Sequence, residues 1–281
     1  MSDLARVAIL GGRGMLGTDL AATLCCHGIE PVIYDLPDFD LTQTDKMVNA
    51  LADVNWVVNC AAYTNVDGAE ADQSRAYEVN AEAVGQLGRL AAEAGVPVLH
   101  ISTDFVFDGQ GDQPYTETDR PNPISVYGAS KWQGEQALSE SGCLHCVVRV
   151  QWTYGHAGTN FIKKICERAR TQGQLKVVDD QVGSPTATVE VAKALLELMQ
   201  KQAQGLYHYA SLGYVSRFRM AEFLIKQLGL SVKVEPCKTS EFVCPAARPL
   251  NSRFDCGKIS QQLDEPILPW QTALTHYLEQ L

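Results

Sequence analysis

The chain has 281 residues, 46% of them apolar and 20% charged, which is enough for a sizeable core and argues against a disordered chain. Its net charge of -10 disfavours bare nucleic acid or an anionic membrane surface as a partner, although a local helix terminus can still hold a phosphate. No apolar run approaches the ~20 residues that span a bilayer, residues 1–10 run into a strand without a signal-peptide layout, and the nine scattered cysteines read as reduced thiols of a cytoplasmic protein.

In chain order, short β-rich runs alternate with helical periodicity. Strands are predicted at Arg6–Leu10, Pro31–Tyr34, Trp56–Cys60, Val96–Ile101 and His145–Val150. Helices are predicted between them at Met15–Cys26, Thr44–Leu51, Glu70–Ala94 and Ser125–Ser139. Such alternation gives crossover connections and a mostly parallel, Rossmann-like α/β sheet, with ligands at the carboxyl ends of its strands. After residue 150 the rhythm changes. Helices are expected at Phe161–Arg170, Thr188–Gln200 and Arg217–Leu228, with strands near Lys176–Val178, Leu206–Tyr209 and Val232–Glu235. An irregular stretch, Cys237–Arg253, precedes a last helix at Trp270–Gln280. The expected division is a dinucleotide-binding domain over 1–150 and a small substrate-binding lobe over 151–281, partly interleaved with the sheet.

The first strand is followed by Gly11-Gly12-Arg13-Gly14-Met15-Leu16-Gly17, a glycine loop that opens a helix. Gly11 permits a tight turn, Gly14 lets the backbone approach a pyrophosphate, and Gly17 lets the helix pack closely on the strand. The N–H groups at the helix start, around Met15 and Leu16, favour an anion. No Gly-Lys-Ser/Thr follows, which excludes a P-loop. Asp35, ending the second strand, suits adenosine ribose hydroxyls, whereas Arg13 suits a 2′-phosphate, so the loop fits NADPH or NADH without choosing between them. Asn59-Cys60-Ala61-Ala62 ends the third strand with small residues that leave room for the cofactor.

Tyr127-Gly128-Ala129-Ser130-Lys131 is a Y-x-x-x-K pattern on a predicted helix, with phenol and ammonium on one face. The lysine is expected to lower the phenol's pKa and to hold the nicotinamide ribose. Ser102-Thr103-Asp104 is placed just after the fourth strand, where a hydroxyl can meet a substrate carbonyl. The histidines form no spaced pair, and Cys143 and Cys146 lack a second ligand pair, so no metal site is expected.

Glycine loop, strand-end hydroxyl and Y-x-x-x-K together resemble the extended short-chain dehydrogenase/reductase superfamily. More narrowly, the chain resembles the dTDP-4-dehydrorhamnose reductase family. That likeness rests on Ala61-Ala62-Tyr63-Thr64-Asn65-Val66-Asp67, Ser102-Thr103-Asp104-Phe105-Val106-Phe107, Arg149-Val150-Gln151-Trp152-Thr153-Tyr154-Gly155, Asp180-Gln181-Val182-Gly183-Ser184-Pro185-Thr186 and Arg248-Pro249-Leu250-Asn251-Ser252. The resemblance implies reduction of a dTDP-4-keto sugar in polysaccharide biosynthesis, with Thr103, Tyr127 and Lys131 catalytic. It places Asp40, Leu41 and Tyr63 at the cofactor, and Thr64, Val66, Asp104 and Trp152 at the sugar. Arg248 is a candidate for the diphosphate, because a guanidinium matches phosphate oxygens. Gln151 and Phe105 depart from the family pattern, which more often has a small residue and a tyrosine there. Some relatives form homodimers through magnesium-bridged carboxylates, and Asp19, Glu190 and Glu279 lie in regions that could correspond. Two other readings share these motifs: a nucleotide-sugar epimerase or dehydratase, and a non-catalytic dinucleotide-binding regulator like the methionine adenosyltransferase beta subunit.

Overall fold

The computed structural model describes residues 4–280. Its centre is a six-stranded sheet formed by β1 (Arg6–Leu10), β2 (Glu30–Tyr34), β3 (Trp56–Asn59), β4 (Val98–Thr103), β5 (His145–Val150) and the strand Gly205–Tyr209. All neighbours are parallel, in the spatial order β2, β1, β3, β4, β5, Gly205–Tyr209. The chain therefore runs outward in opposite directions from the β1–β3 junction, and a crevice at the strands' carboxyl ends opens there. β4 continues past Ile101, so Ser102 and Thr103 are its last residues and do not follow it.

β1 shows why its residues form a central strand. Val7 and Ile9 join one apolar cluster and Ala8 and Leu10 another, as a strand covered on both faces requires. The helices are α1 (Met15–Cys26), α2 (Thr44–Ala50), α3 (Val66–Ala71), α4 (Gln73–Tyr77), α5 (Ala83–Ala94), α6 (Val126–Ser139), α7 (Phe161–Thr171), α8 (Thr188–Gln200) and α9 (Arg217–Gln227). Leu20 and Leu24 of α1 and Val191 and Leu195 of α8 share the first cluster; Met47 of α2, Leu87 of α5 and Leu138 of α6 share the second.

The single helix expected over Glu70–Ala94 is instead α3, α4, a π turn at Glu78–Glu82 and α5. Asp72 breaks it: its backbone is non-helical and its side chain accepts the Arg75 N–H. The π turn buries Asn80, whose amide bonds both the N–H and the carbonyl of Tyr63 and reaches Ser130 Oγ at 3.0 Å. That side chain ties the segment after β3 to α6.

Beyond Val150 the chain serves two regions. α8 and the strand Gly205–Tyr209 complete the central layers. The parallel strands Gln174–Val178 and Lys233–Cys237 form a separate pair, packed with α7, α9 and the last helix, Trp270–Leu278, around Ile165, Leu175, Phe218, Leu224 and Leu274.

Candidate active site

Gly11 sits at φ +74°, and a Cβ there would lie 2.7 Å from the Ala61 nitrogen, so only glycine lets the loop touch the segment after β3. Gly14 is the N-cap of α1; no side chain caps that terminus and no acidic residue occupies its first turn. The N–H groups at Met15 and Leu16 thus start a helix that supplies no anion of its own, an arrangement that fits a dinucleotide pyrophosphate. Gly17 packs with so little room that a Cβ would stand 2.4 Å from the Gly11 carbonyl oxygen.

Asp35 braces this loop, accepting the backbone N–H groups of Arg13 and Leu36 at 2.7 and 2.8 Å. Arg13 folds across the same turn, bonding the Leu36 carbonyl and lying 3.5 Å from Asp38. Asp40 is occupied by the backbone and hydroxyl of Thr42 and by Arg75, which hold its carboxyl below the usual range, the Thr42 N–H most of all. Leu41 is buried in the α2–α5 side of the core. Ala61, Ala62 and Tyr63 line the segment that faces Gly11 and is pinned by Asn80.

Thr103 ends β4 and caps the short helical turn Asp104–Val106 by accepting the Phe105 N–H. Tyr127 lies in the first turn of α6, whose N-cap Ser125 accepts the Gly128 N–H at 3.2 Å. A Cβ on Gly128 would sit 2.1 Å from the Phe105 oxygen, so this glycine lets α6 close onto the strand end. Phe105 packs edge-on against Tyr127, with ring centroids 5.5 Å apart. The Thr103 hydroxyl, which donates to Asp104 Oδ1 at 3.1 Å, is near enough to the Tyr127 phenol to pull its pKa down.

The expected lowering of the phenol pKa by Lys131 is corrected here. Burial pushes Tyr127 up to about 12, against the opposing pull of the Thr103 side chain. Lys131 reaches β4 instead, donating to the Ile101 carbonyl at 2.7 Å and lying 3.3 Å from His100 Nε2. Burial pulls Lys131 down to about 8, opposed by the charges of Glu135 and Cys60.

Next to these groups opens a cavity of about 390 Å³ lined by Phe105, Trp152, Phe161, Arg217, Arg248 and Ser252, among others. Trp152 adopts φ +45°, a costly conformation for a bulky residue that its surroundings over-determine. Gly183 packs so closely against it that a Cβ would meet the indole at 2.8 Å, and the Arg217 guanidinium lies 3.5 Å above the ring. Gln151, the first departure from the family pattern, is buried and accepts the Ser184 N–H, leaving its Nε2 without a partner. Asp104 is buried between Thr103 and Ser252; burial raises its pKa, and Arg217 opposes the rise.

Arg248 already has a carboxylate partner. It bridges Asp67 at 2.8 Å and bonds the Ala246 carbonyl, strapping the Cys237–Arg253 segment to α3. Thr64 is exposed and Val66 half-buried where α3 begins. Of the two arginines that line the cavity, Arg217 is the one in no carboxylate salt bridge among the described residues, and the sequence reading missed it. Burial lowers it to about 9, with Asp104 holding it up. A signal was present: an arginine in the first turn of a helix opposes the helix dipole and so calls for a reason.

Asp19 bonds Thr188, and Glu190 pairs with Lys193. Among the described residues no group of three or more His, Cys, Asp or Glu could hold a metal. All nine cysteines are free thiols.

A glycine-loop crevice beside a strand-end threonine and a helix-borne Tyr–Lys pair defines the extended short-chain dehydrogenase/reductase class. Within it, the model of the RmlD substrate binding domain matches residues 5–281. A dTDP-4-dehydrorhamnose reductase of Sinorhizobium fredii is 35% identical over 281 residues, covering 95% of each chain. Crystal structures of reductases of that name agree. The one from Clostridium acetobutylicum has a TM-score of 0.94 at 34% identity, covering 98% of this chain and 99% of that one. The one from Bacillus anthracis, in complex with NADP, has a TM-score of 0.94 at 31% identity, covering 99% of both. The chain belongs to the dTDP-4-dehydrorhamnose reductase family.

Proposed function

We propose that the protein reduces the 4-keto group of dTDP-4-dehydro-L-rhamnose to give dTDP-L-rhamnose, using NADPH or NADH. The observation that carries this reading is the juxtaposition of Thr103 at the tip of β4 with Tyr127 in the first turn of α6, beside a cavity walled by Trp152 and Arg217. The nicotinamide supplies the hydride. Tyr127, a phenol that keeps its proton at neutral pH, donates it to the developing sugar alkoxide. Thr103 turns its hydroxyl hydrogen, which now faces Asp104 Oδ1 at 3.1 Å, toward the same oxygen. Lys131 fixes the nicotinamide ribose.

Gly11, Gly14, Met15, Leu16 and Gly17 take the pyrophosphate. Asp35 or Arg13 meets the adenosine ribose, with Asp40 and Leu41 toward the adenine and Ala61, Ala62 and Tyr63 along the cofactor. Trp152, Thr64 and Val66 enclose the sugar. Arg217 takes the diphosphate, with Arg248 holding the cavity's outer wall. Both oxygens of Asp104 are engaged by neighbouring hydroxyls, which favours positioning over the acid–base work a dehydratase would ask of it. The segments after Val150 that surround the cavity act as the substrate lobe. A cytoplasmic location and a homodimer accompany this reading, the latter tested by sedimentation.

The test is a coupled assay with dTDP-4-dehydrorhamnose generated in place. Loss of one reduced nicotinamide per sugar supports the assignment. Conversion of the sugar without net consumption, or binding of the dinucleotide with no turnover, would assign an epimerase or a regulator instead.

A further inference from the structure

Asp180 and Gln181 stand beside Arg217 at the rim of the cavity. The Gln181 carbonyl accepts the Arg217 N–H at 3.2 Å. The residue is only 8% exposed, and its side chain lines the cavity. Gln181 Nε2 donates to Thr239 Oγ1 at 3.1 Å. Thr239 opens the short helical turn Thr239–Glu241. It gives its hydroxyl hydrogen to Asp180 Oδ1 at 2.7 Å and its N–H to both Asp180 oxygens at 3.0 Å.

The carboxylate fixes the direction of this row. An ionised carboxylate only accepts, so the single hydroxyl hydrogen of Thr239 points at Asp180 and Oγ1 turns its lone pairs to Gln181. The NH2 of Gln181 must meet them, because the amide turned over would set oxygen against oxygen. The amide oxygen of Gln181 is therefore held away from Thr239. It meets no donor among the described residues, and it is not one of the orphan atoms sealed from the surface, so it is open to the cavity. An acceptor held this way takes a hydrogen from a bound molecule and repels phosphate oxygens, which also only accept.

The walls indicate which part of a nucleotide sugar meets it. The Arg217 guanidinium lies 3.5 Å from the Trp152 ring and 4.9 Å from that of Phe161. With the sugar on Trp152 and the diphosphate on Arg217, the nucleoside lies toward Phe161. Val178 and Phe242, three residues along the chain from Gln181 and Thr239, add apolar walls for a flat ring.

We propose that Gln181 reads the nucleobase, its Oε1 accepting the N3–H of a thymine or uracil ring, with Asp180 and Thr239 as the positioning residues that hold the amide in that sense. The placement of the base rests on the reductase reading, through the diphosphate on Arg217. Cytosine carries a lone pair at N3, which would face the oxygen and leave it unpaired. A site built around one hydrogen bond discriminates against a ring that cannot make it.

The test is calorimetric titration of the full chain with free nucleoside diphosphates, with NAD+ and NADP+ in excess to keep them out of the cofactor crevice. The parent should bind dUDP about 10-fold or more tighter than dCDP, and dTDP tighter than N3-methyl-dTDP by a similar factor. Removing the 3′-hydroxyl of dTDP should change affinity by less than about threefold. In Gln181→Met the preference for dUDP over dCDP should shrink to below about threefold. Thr239→Val frees the amide to turn its NH2 toward the ring, so dCDP should gain on dUDP there too. Equal binding of dUDP and dCDP by the parent, no binding of dTDP, or a preference that survives in both variants overturns the proposal. A loss that follows the 3′-hydroxyl instead of N3 assigns Gln181 to the ribose and overturns it as well. These titrations need no turnover, so a chain that discriminates at N3 yet reduces no sugar would sink the reductase reading and leave the base reader standing.

Discussion

Replacing Arg217 with methionine keeps an apolar stem over Trp152 and removes the charge. The guanidinium carbon lies 3.5 Å from the indole centroid and 4.9 Å from that of Phe161, so the side chain is held by stacking, with its fork available to an anion. One hydrogen bond to a charged group contributes about 1.5–3 kcal/mol, and 1.4 kcal/mol is about tenfold in affinity. A single lost phosphate bond therefore weakens substrate binding by roughly 10- to 150-fold. KM should rise accordingly, with kcat changing by less than about threefold, because the diphosphate does not react. Arg217→Lys should fall between the two, keeping a charge but not the planar fork. Initial rates across nucleotide-sugar concentration, at low and high salt, read this out. KM should climb with salt in the parent and less so in the methionine variant. An unchanged KM in a folded Arg217→Met protein would remove the diphosphate from this arginine.

Tyr127→Phe should reduce turnover by about 10²-fold or more while dinucleotide binding measured by fluorescence is retained; normal turnover would clear the phenol of its role. Arg13→Ala should weaken NADPH more than NADH, and an equal effect on both would leave the 2′-phosphate elsewhere. Asp67 is held below the ordinary carboxyl range, chiefly by its hydrogen bond to Arg248. The strap it anchors should thus be at full strength above that ordinary value and weaken as pH falls through the lowered one. Limited proteolysis of the Cys237–Arg253 segment should accelerate in acid for the parent, and at neutral pH already for Asp67→Asn.

The parts of the fold set by local chemistry were legible. Met15–Cys26, His145–Val150 and Thr188–Gln200 end where glycine placement and apolar periodicity say they should. The glycine loop, Thr103 and Tyr127 stand together because their order along a doubly wound sheet leaves few other arrangements. What stayed hidden depended on partners distant in sequence. The break at Asp72 and the π turn answer to Asn80 reaching Tyr63 and Ser130. Lys131 turns to Ile101 and His100, a choice that its spacing from Tyr127 does not reveal. Arg248 looked free as text but meets Asp67 in space, whereas Arg217 gains its importance from an indole set beneath it by a left-handed backbone.

The way the chain shuttles between layers limits how this enzyme can be remodelled. After Val150 it leaves the sheet for α7, returns through α8 and Gly205–Tyr209, leaves again for α9, comes back at Phe254, Cys256 and Ile259, and leaves once more to finish beside α7 and α9 on Trp270–Leu278. The wall around the cavity is therefore several separate outgrowths, not one cassette. Changing sugar preference by exchange with a relative would require swapping those stretches together. A fragment cut after Val150 would lose Leu195 and its neighbours from the core behind α1 and would leave β5 as a bare, apolar edge.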